Sequence, residues 1–378
     1  MIDEKVIKKY FQDLLQTCKF PERDPLDYIL EKGSRIGLDI GTSSIKIVEV
    51  EGTPQGPLVR STAYREIPRS PEIKGSLPEE TLIIQSLFEL WQDYKTKTKN
   101  VRLVISDPAV YLRYLTIPQV DASELRKAIK WQVEKFVPFS IEEASVDYQF
   151  VGTDLKSESA QMGVIVVAVE KKIIEKYLNI LKAVKVIPVI IDIAPFSVAK
   201  AVVNAYDLQP QQAAFIVDIG YKTTSLVVVK GQSLRMVRSI ETAGDHVTKA
   251  IAEAMMLDKS SSEKLKREFV MPAAGQQGNE TTHKIMVAVQ TIWTEWAKEI
   301  ERSLTYCERE SLVENVDKII LCGGGAKLNG LDQFLKRQLG LPVEVADVLP
   351  KNGGLGFGQT QRADLPSPEW MASFGGTL

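Results

Sequence analysis

Short runs of β-branched and aliphatic residues alternate along the chain with longer segments in which apolar residues recur every three or four positions. Runs of the first kind predict buried strands, and segments of the second kind predict amphipathic helices. Two stretches share one pattern, IGLDIGTSSIKIVEV at 36–50 and FIVDIGYKTTSLVVV at 215–229. Each places Asp-Ile-Gly between two apolar runs and predicts a strand, a tight turn and a second strand, and a third strand is expected near 58–66. The chain therefore repeats one supersecondary unit in its two halves.

Between the two copies, the pattern of residues 101–184 predicts a βαββα block. Two short strands precede a helix that Asp121 or Ser123 would cap, and two further strands and an amphipathic helix follow. We expect the block to form a small sheet with two helices on one face. Trp131 and Phe136 are expected to pack the first helix, and the alternative is that one of them lines a groove for a partner.

Residues 1–33 stand apart from this pattern. Apolar residues recur there at helical spacing, with lysines and an aspartate on the opposite side. One interpretation is a helix packed on the main body, and the other is a helix that binds a partner or a membrane surface. Because the segment carries acids as well as lysines, it is a poor ligand for anionic lipids.

Composition narrows the class of protein. A chain of 378 residues is long enough for two or three domains, and a formal net charge of −2 argues against nucleic-acid binding driven by bulk charge. No apolar run reaches the roughly 18 residues that a membrane span needs. The three cysteines are scattered without a CxxC pair, which predicts reduced thiols in a cytoplasmic protein.

Both Asp-Ile-Gly turns are suited to binding an anion. Glycine lacks a Cβ, so a ligand can approach the backbone N–H groups closely, and a lysine can neutralise a phosphate as a point charge. Mg²⁺ is commonly held by one or two carboxylates plus phosphates. The turns therefore predict a polyphosphate clamp with Asp39 and Asp218 near a magnesium ion. The residues predicted to contact the phosphates are Gly41, Thr42, Ser43, Lys46, Gly220, Lys222, Thr223 and Thr224.

A third feature lies in IILCGGGAKLNGL, where Gly323, Gly324 and Gly325 separate a buried strand from a helix. Such a turn lets a flat base or a phosphate approach the backbone at a helix N-terminus. By itself the triple glycine is equally consistent with a tight structural turn. Upstream, ETAGDHVTKAIAEAM opens a helix at the turn of Gly244, and SSSEKLKREFV predicts a short helix with a serine cap.

The two Asp-Ile-Gly hairpins, the SEKLKRE helix and the CGGGAKL turn resemble, in that order, the actin-like ATPase superfamily. The resemblance implies that the hairpins are two phosphate-binding turns and that the triple glycine backs the adenine of ATP. It also implies that Glu263, Lys266 and Arg267 flank the adenosine, with Gly244 nearby, whereas an exposed charged helix face is the alternative for that trio. Asp192 is the candidate for a catalytic or water-mediated metal role, and a helix N-cap is its alternative.

Within the superfamily, LTIPQVDASELRKAIKWQVEKFVPFSIEEASVDYQF and VIIDIAPFSVAKAV are similar to the PilM family of type IV pilus assembly, and the likeness extends over about 35–378. It implies an α/β, actin-like (ribonuclease H-like) two-domain ATPase fold with a 1C-type subdomain inserted in the first domain. The implied parts are an extension at 1–33, subdomain 1A at 34–100 with 185–207 and 346–378, 1C at 101–184, 2A at 208–245 and 284–345, and 2B at 246–283.

The same resemblance implies a cytoplasmic ATP-binding scaffold with Mg²⁺ as its metal and slow ATP hydrolysis at most. Its partner would be the cytoplasmic N-terminal peptide of PilN, docked in a groove of subdomains 1A and 1C. The protein would then lie at the inner face of the cytoplasmic membrane through its partner, in pilus biogenesis and twitching motility. Contacts with pilus motor ATPases and self-association are left open, and no nucleic-acid partner is expected.

Two other functions of the superfamily remain alternatives. An FtsA-like cell-division or filament-forming ATPase would sediment with ATP, and a small-molecule kinase would release ADP only with an acceptor. FtsA continues from its core into a membrane-binding amphipathic helix, whereas this sequence ends at SPEWMASFGGTL. That difference favours the PilM family.

Overall fold

The computed structural model describes residues 34–53, 56–68, 80–96, 98–118, 120, 122–154, 161–272, 279–347 and 368–378. The helix predicted within 1–33 lies outside the described residues, as does the capping residue predicted at 121. Within the described part of the chain, no helix is both long and apolar enough to cross a membrane.

Strands and helices follow one another in nearly the predicted order. The strands are β1 (Ser34–Ile40), β2 (Ser44–Thr53), β3 (Gly56–Glu66), β4 (Asn100–Ile105), β5 (Val110–Pro118), β6 (Ala144–Asp154), β7 (Gln161–Glu170), β8 (Ile187–Ile193), β9 (Ala213–Ile219), β10 (Thr224–Lys230), β11 (Ser233–Ile240), β12 (Lys318–Cys322) and β13 (Val343–Val345). The helices are α1 (Glu80–Tyr94), α2 (Ala122–Val133), α3 (Lys171–Ala183), α4 (Ala194–Tyr206), α5 (Gly244–Met255), α6 (Lys259–Glu268), α7 (Glu280–Arg309), α8 (Leu331–Leu339) and α9 (Met371–Thr377). Two 3₁₀ turns, Gly324–Lys327 and Pro368–Trp370, precede α8 and α9.

Two five-stranded sheets have the same strand order. The first sheet runs β3-β2-β1-β4-β8, and the second runs β11-β10-β9-β12-β13. In both, the first three strands pair antiparallel and the last three pair parallel. The repeated Asp-Ile-Gly hairpins are β1–β2 and β9–β10, so they occupy equivalent places in the two sheets. Each sheet with its helices is called the first or the second domain below.

A continuous apolar core joins the two domains. It contains side chains of the first sheet, of α4 and α9, and of one face of the second sheet, among them Ile216 and Val227. Helices α4 and α9 pack so closely that a Cβ on Gly375 would lie 1.7 Å from the Ser197 carbonyl oxygen. A second core on the other face of the second sheet buries Trp293 and Trp296 of α7 completely.

The small sheet has three strands, in the order β5-β7-β6, and α2 packs on it through Ile129 and Val133. The predicted grouping of two helices on this sheet is wrong, because α3 buries Ile174 and Tyr177 in the core of the first domain. Likewise β4 pairs with β1 and β8 in the first sheet. The run VRLVI is apolar enough for either sheet, so its local pattern could not decide between them.

The prediction that Trp131 packs the helix is also wrong. Its side chain is 60% exposed, and the Lys135 ammonium lies over its ring. Position 131 faces away from the sheet, since Ile129 and Val133 occupy the buried stripe of α2. Phe136, in contrast, is partly buried against the small core, and the Arg113 guanidinium lies 5.0 Å from its ring centre.

The small sheet touches both domains. Its strand β5 contacts β11 of the second sheet, and the rings of Tyr114 and Tyr306 meet edge to face at 6.5 Å. The Arg235 guanidinium, on β11, donates a hydrogen bond to the Val151 carbonyl at 3.2 Å. A change in the angle between the domains would therefore change the contacts of the small sheet.

One carboxylate of the small sheet is buried without a hydrogen-bond partner at its Oδ2 atom. It belongs to Asp147 on β6. Burial raises the pKa of Asp147 from 3.8 to about 6, although a Tyr148 backbone N–H and the charge of Arg126 both lower it. The folded protein therefore holds this proton more tightly than the unfolded chain. Its contribution to stability is full below pH 3.8, is lost progressively up to about pH 6, and stays lost at higher pH.

We expect Asp147→Asn to raise the free energy of unfolding at neutral pH by about 1–3 kcal/mol, because one pKa unit corresponds to about 1.4 kcal/mol. The gain should vanish near pH 4, where the wild-type carboxyl is protonated. Urea unfolding across that pH range measures both. Asp93→Asn, at a carboxylate that is 73% exposed, is the control and should change little; equal pH profiles for Asp147→Asn and wild type would contradict the prediction.

Candidate functional site

A cavity of about 640 Å³ lies between the two domains, within the usual range for small-molecule sites of about 300–1,000 Å³. The carboxyl ends of β1 and β4 reach it from the first sheet, and those of β9 and β12 reach it from the second. Among the predicted residues, those that line it are Asp39, Gly41, Thr42, Ser43, Lys46, Asp218, Gly220, Thr223, Gly244, Glu263, Lys266, Arg267, Gly323, Gly324 and Gly325.

Two glycine turns face this cavity from opposite sides. The first glycine turn is 41–44 and the second is 220–223. In the first, the Gly41 N–H donates to the Ser44 carbonyl at 3.0 Å, and in the second, the Gly220 N–H donates to the Thr223 carbonyl at 3.0 Å. The two turns therefore share their backbone hydrogen bond as well as their sequence pattern. A Cβ on Gly220 would lie 2.8 Å from the Thr223 carbonyl oxygen, so this turn requires glycine.

Lys46 and Asp39 form a buried ion pair at the first turn. The residues are cross-strand neighbours on β2 and β1, and the Lys46 Nζ lies 3.1 Å from the Asp39 Oδ2. The Ser106 hydroxyl donates to the other carboxylate oxygen at 2.8 Å. Burial alone would lower the pKa of Lys46, but the Asp39 carboxylate outweighs it, and the pKa is raised. The ammonium therefore stays charged at the wall of the cavity.

Asp218 faces the same region from the second sheet. Desolvation and, to a smaller extent, the Asp39 carboxylate raise the pKa of Asp218, Lys46 offsets part of the rise, and the net pKa is about 7. Two carboxylates that disfavour each other's charge would both be stabilised by a divalent cation between them. Within the described residues, no group of three or more His, Cys, Asp or Glu side chains forms a metal cage. The pair fits a cation such as Mg²⁺ that takes its other ligands from water and phosphate.

Lys222 does not line the cavity. The cross-strand partner of Asp218 is Ser225, just as that of Asp39 is Lys46, so a serine occupies the position of Lys46 in the second hairpin. Lys222 instead turns to Asp245, whose Oδ2 lies 3.2 Å from its Nζ. The register explains the difference, because Lys222 belongs to the turn and Lys46 to the strand.

Asp245 anchors the second glycine turn from behind. Its carboxylate is 1% exposed and receives Lys222, Lys249, Lys259 and the Tyr221 hydroxyl. Burial opposes ionisation, but the hydrogen bonds from the lysines and the tyrosine outweigh it and hold the pKa of this carboxyl well below its usual range. The Asp245–Lys249 pair, four positions apart on α5, is the local signal for this cluster, and no local pattern pointed to Lys222 or Lys259.

Thr224 and Asp192 also lie away from the cavity wall. Thr224 is fully buried, and its hydroxyl donates to the Thr242 carbonyl at 2.8 Å, because alternation along β10 puts it on the face opposite to Ser225. The Asp192 carboxylate is 1% exposed and accepts from Ser197 and Lys200, both at 2.7 Å. Asp192 is not the N-cap of α4 either, which is Ile193. We assign no catalytic step to Asp192.

The triple glycine forms a wall of the cavity at the end of β12. Gly323 has φ +78° and ψ 172°, a conformation that only glycine adopts readily. A Cβ there would lie 2.4 Å from the Ile219 carbonyl oxygen and 2.6 Å from the Asp218 Oδ1. Gly324 has no atom within 4 Å of a built Cβ and faces open space. One glycine is therefore required by the fold, and its neighbour leaves room for a ligand.

Helix α6 carries Glu263, Lys266 and Arg267 to the cavity. Its N-cap is Asp258, which accepts from the Ser260 and Ser261 N–H groups, so the predicted serine cap is wrong. Glu263 accepts from Lys266 at 2.7 Å. The Lys266 ammonium also donates to the carbonyl of Gly244 at 3.1 Å, and this ties α6 to the start of α5.

Several cavity residues were not predicted. Tyr64 and Glu66 come from the end of β3, Ser106 and Asp107 follow β4, and Trp370 precedes α9. A signal existed for Ser106 and Asp107, since polar residues directly after a parallel strand lie at the edge of a sheet where ligands bind. No local signal marks Glu66 or Trp370, because β3 is antiparallel and Trp370 is brought in by the packing of α9.

Comparison with known proteins gives the family of the chain. The family model for type IV pilus assembly protein PilM matches residues 37–353. A solved PilM-PilN type IV pilus biogenesis complex is 28% identical, covers 92% of this chain and 98% of that one, and superposes with a TM-score of 0.76. The ethanolamine utilization protein EutJ of Carboxydothermus hydrogenoformans, 16% identical over 100% of this chain and 99% of its own, shares the fold at a TM-score of 0.50.

Curated relatives match over a shorter segment. The cell shape-determining protein MreB of Escherichia coli K12 is 24% identical over 159 residues, which is 35% of this chain and 46% of that protein. Mbl of Bacillus subtilis 168 is 31% identical over 158 residues, 35% of this chain and 47% of that one. The chain thus spans about half the length of these relatives. The α/β fold is that of the actin-like ATPases, and the chain belongs to the PilM family of type IV pilus assembly proteins.

Proposed function

We propose that the protein is an ATP-binding component of type IV pilus assembly whose nucleotide holds the two domains together and shapes a docking groove for the N-terminal peptide of PilN. The observation that carries the proposal is the symmetry of the cavity. Two glycine turns with the same hydrogen bond face one space from opposite sheets, and a buried lysine and two carboxylates accompany them. Such an arrangement suits a polyphosphate held from both sides.

In this proposal the phosphates lie between the two glycine turns. Lys46 supplies the positive charge on the first side, and the backbone N–H groups and Thr223 supply donors on the second. Asp39 and Asp218 hold Mg²⁺, which neutralises phosphate charge when it is bound. The adenosine lies toward Gly323–Gly325 and the side chains of α6, where open space beside Gly324 lets a flat base approach.

The proposed role of ATP is conformational, with slow hydrolysis at most. Val110 and Leu112 of β5 line the cavity, and β5 is also an edge strand of the small sheet. A ligand that draws the domains together therefore acts directly on the small sheet and on any groove between it and the first sheet. A nucleotide with higher affinity for the closed arrangement shifts the population toward it.

The partner in this proposal is the PilN peptide, bound in extended form in a groove of subdomains 1A and 1C. Support comes from the similar complex, which is a PilM-PilN assembly. The edge strands of the small sheet are β5 and β6, and β6 is the edge proposed for such a peptide, because β5 contacts β11 of the second sheet. Association with the membrane would then be indirect, at its cytoplasmic face, through PilN.

The test is calorimetry of the full chain with a synthetic PilN N-terminal peptide, with and without MgATP. We expect specific binding that MgATP strengthens by about fivefold or more, a usual size for coupling between sites. A peptide of the same composition in scrambled order is the control. No detectable binding in the presence of MgATP would contradict the docking proposal, and equal affinities with and without nucleotide would contradict the coupling.

A further inference from the structure

An ion pair crosses the mouth of the cavity between the two domains. The Arg267 guanidinium on α6 donates to the Glu66 carboxylate on β3 at 2.6 Å. Both side chains line the cavity, and each is 52% exposed, so the pair lies where the cavity meets solvent. The two residues are 201 positions apart in the chain.

Each end of this ion pair is tied to one of the glycine turns. On the first side, Glu66 is the cross-strand neighbour of Ser44, and the Ile67 N–H donates to the Ser43 carbonyl at 3.0 Å. The position of Glu66 is therefore fixed relative to the first glycine turn.

On the second side, Arg267 also donates to Glu263 at 3.1 Å, and Glu263 accepts from Lys266. Lys266 donates to the Gly244 carbonyl, and the Gly244 N–H donates to the Gly220 carbonyl at 3.0 Å. Hydrogen bonds, joined by the backbone between Glu66 and Ile67, thus connect one glycine turn, across the mouth, to the other.

The opposite side of the cavity is closed far more firmly. There the two sheets share one apolar core through α4 and α9, and the Gly323 N–H donates to the Pro368 carbonyl at 3.0 Å. Opening there would expose core side chains, whereas opening at the mouth breaks a half-exposed ion pair, which is a weak interaction. The mouth is therefore where the cavity opens most easily.

We propose that Glu66 is a positioning residue that holds Arg267 across the mouth of the cavity, so that the Glu66–Arg267 pair must break each time a nucleotide associates or dissociates. This inference rests on the proposed function, since it concerns the exchange of the nucleotide proposed above. It predicts that the pair slows association and release together.

The experiment is stopped-flow fluorescence of the full chain with a fluorescent ATP analogue and Mg²⁺. In Glu66→Gln we expect the association and dissociation rate constants both to rise, by about twofold to fivefold, as expected for loss of an exposed ion pair. The ratio of the two rate constants, which gives the dissociation constant, should change less than either rate constant. Exchange by the wild type should quicken as salt screens the pair, and exchange by the variant should depend less on salt.

The matched control is Glu51→Gln. Glu51 forms an ion pair with Arg60 on the same β2–β3 ladder at similar exposure, and neither residue lines the cavity. Its rates should equal those of the wild type, and thermal unfolding should show both variants folded. The proposal would be overturned if Glu66→Gln had the same rate constants as the control, or if its exchange depended on salt as strongly as exchange by the wild type. It would also be overturned if Glu66→Gln showed faster association with slower release, because that result indicates simple repulsion of phosphate by Glu66. Failure of the wild type to bind the analogue would instead contradict the proposed function.

Discussion

Replacing Lys46 by alanine is expected to reduce the affinity for MgATP by tenfold or more. The Lys46 ammonium is buried at the cavity wall, 3.1 Å from Asp39, and hydrogen bonds to charged groups contribute about 1.5–3 kcal/mol each. Removing it takes away a cation beside the first glycine turn and the favourable charge interaction that Lys46 makes with the carboxylates of Asp39 and Asp218. Isothermal calorimetry with MgATP measures the loss.

The matched control for this prediction is Lys222→Ala. Both lysines follow an Asp-Ile-Gly turn, but the Lys222 ammonium lies against Asp245, outside the cavity wall. Lys249 and Lys259 still neutralise Asp245 in that variant, so we expect less than a threefold change in affinity. Equal affinities of Lys46→Ala and wild type would contradict the assignment of Lys46 to the phosphates. An equally large loss in Lys222→Ala would show that the hairpin register does not identify which lysine contacts the phosphates. Circular dichroism of each variant confirms that the fold is retained.

The strand register distinguishes Lys222 from Lys46. Both turns carry a lysine after Asp-Ile-Gly, and composition alone treats the two as equivalent. In a hairpin, however, the residue that faces a strand-end aspartate is its cross-strand partner, which is Lys46 in one copy and Ser225 in the other. Counting positions from the aspartate would have found this, so the signal was present in the sequence.

Asp192 illustrates a similar local signal. Its carboxylate is held by Ser197 and Lys200, which lie on the next helix only a few residues away. A serine and a lysine on the following turns of a predicted helix indicate hydrogen-bond partners for a buried carboxylate at this position.

Other features had no such signal. The residues of the ion pair between Glu66 and Arg267 are 201 positions apart, and Asp245 is joined by Lys222 and Lys259 from outside its own helix. These contacts depend on how the domains and helices pack, which hydrophobic periodicity does not specify. The repeated sheet, in contrast, was predictable because strand runs, Asp-Ile-Gly turns and glycines report on local backbone geometry. The strand β4 and the helix α3 are an intermediate case. Each was predicted as an element, but the sheet that β4 joins and the core in which α3 packs were not.

Replacing Gly323 by alanine is expected to destabilise the protein by about 3 kcal/mol or more, because a non-glycine residue is strained at φ +78° and ψ 172°. The added methyl group would also overlap the Ile219 carbonyl oxygen, which is backbone and cannot move aside cheaply. Since Asp218 is the second near contact, the distortion should reach the proposed magnesium site and weaken MgATP binding as well. Urea unfolding and calorimetry measure the two effects.

Gly324→Ala separates the two roles that glycine can have in this turn. Its Cβ would meet no atom within 4 Å, and Gly324 is not among the glycines with positive φ, so stability should change by less than about 0.5 kcal/mol. If the open space beside Gly324 is where the nucleotide approaches the backbone, affinity for MgATP should still fall, because the methyl group occupies that space. A stable Gly323→Ala variant would contradict the strain argument. Full affinity in a stable Gly324→Ala variant would place the nucleotide elsewhere in the cavity.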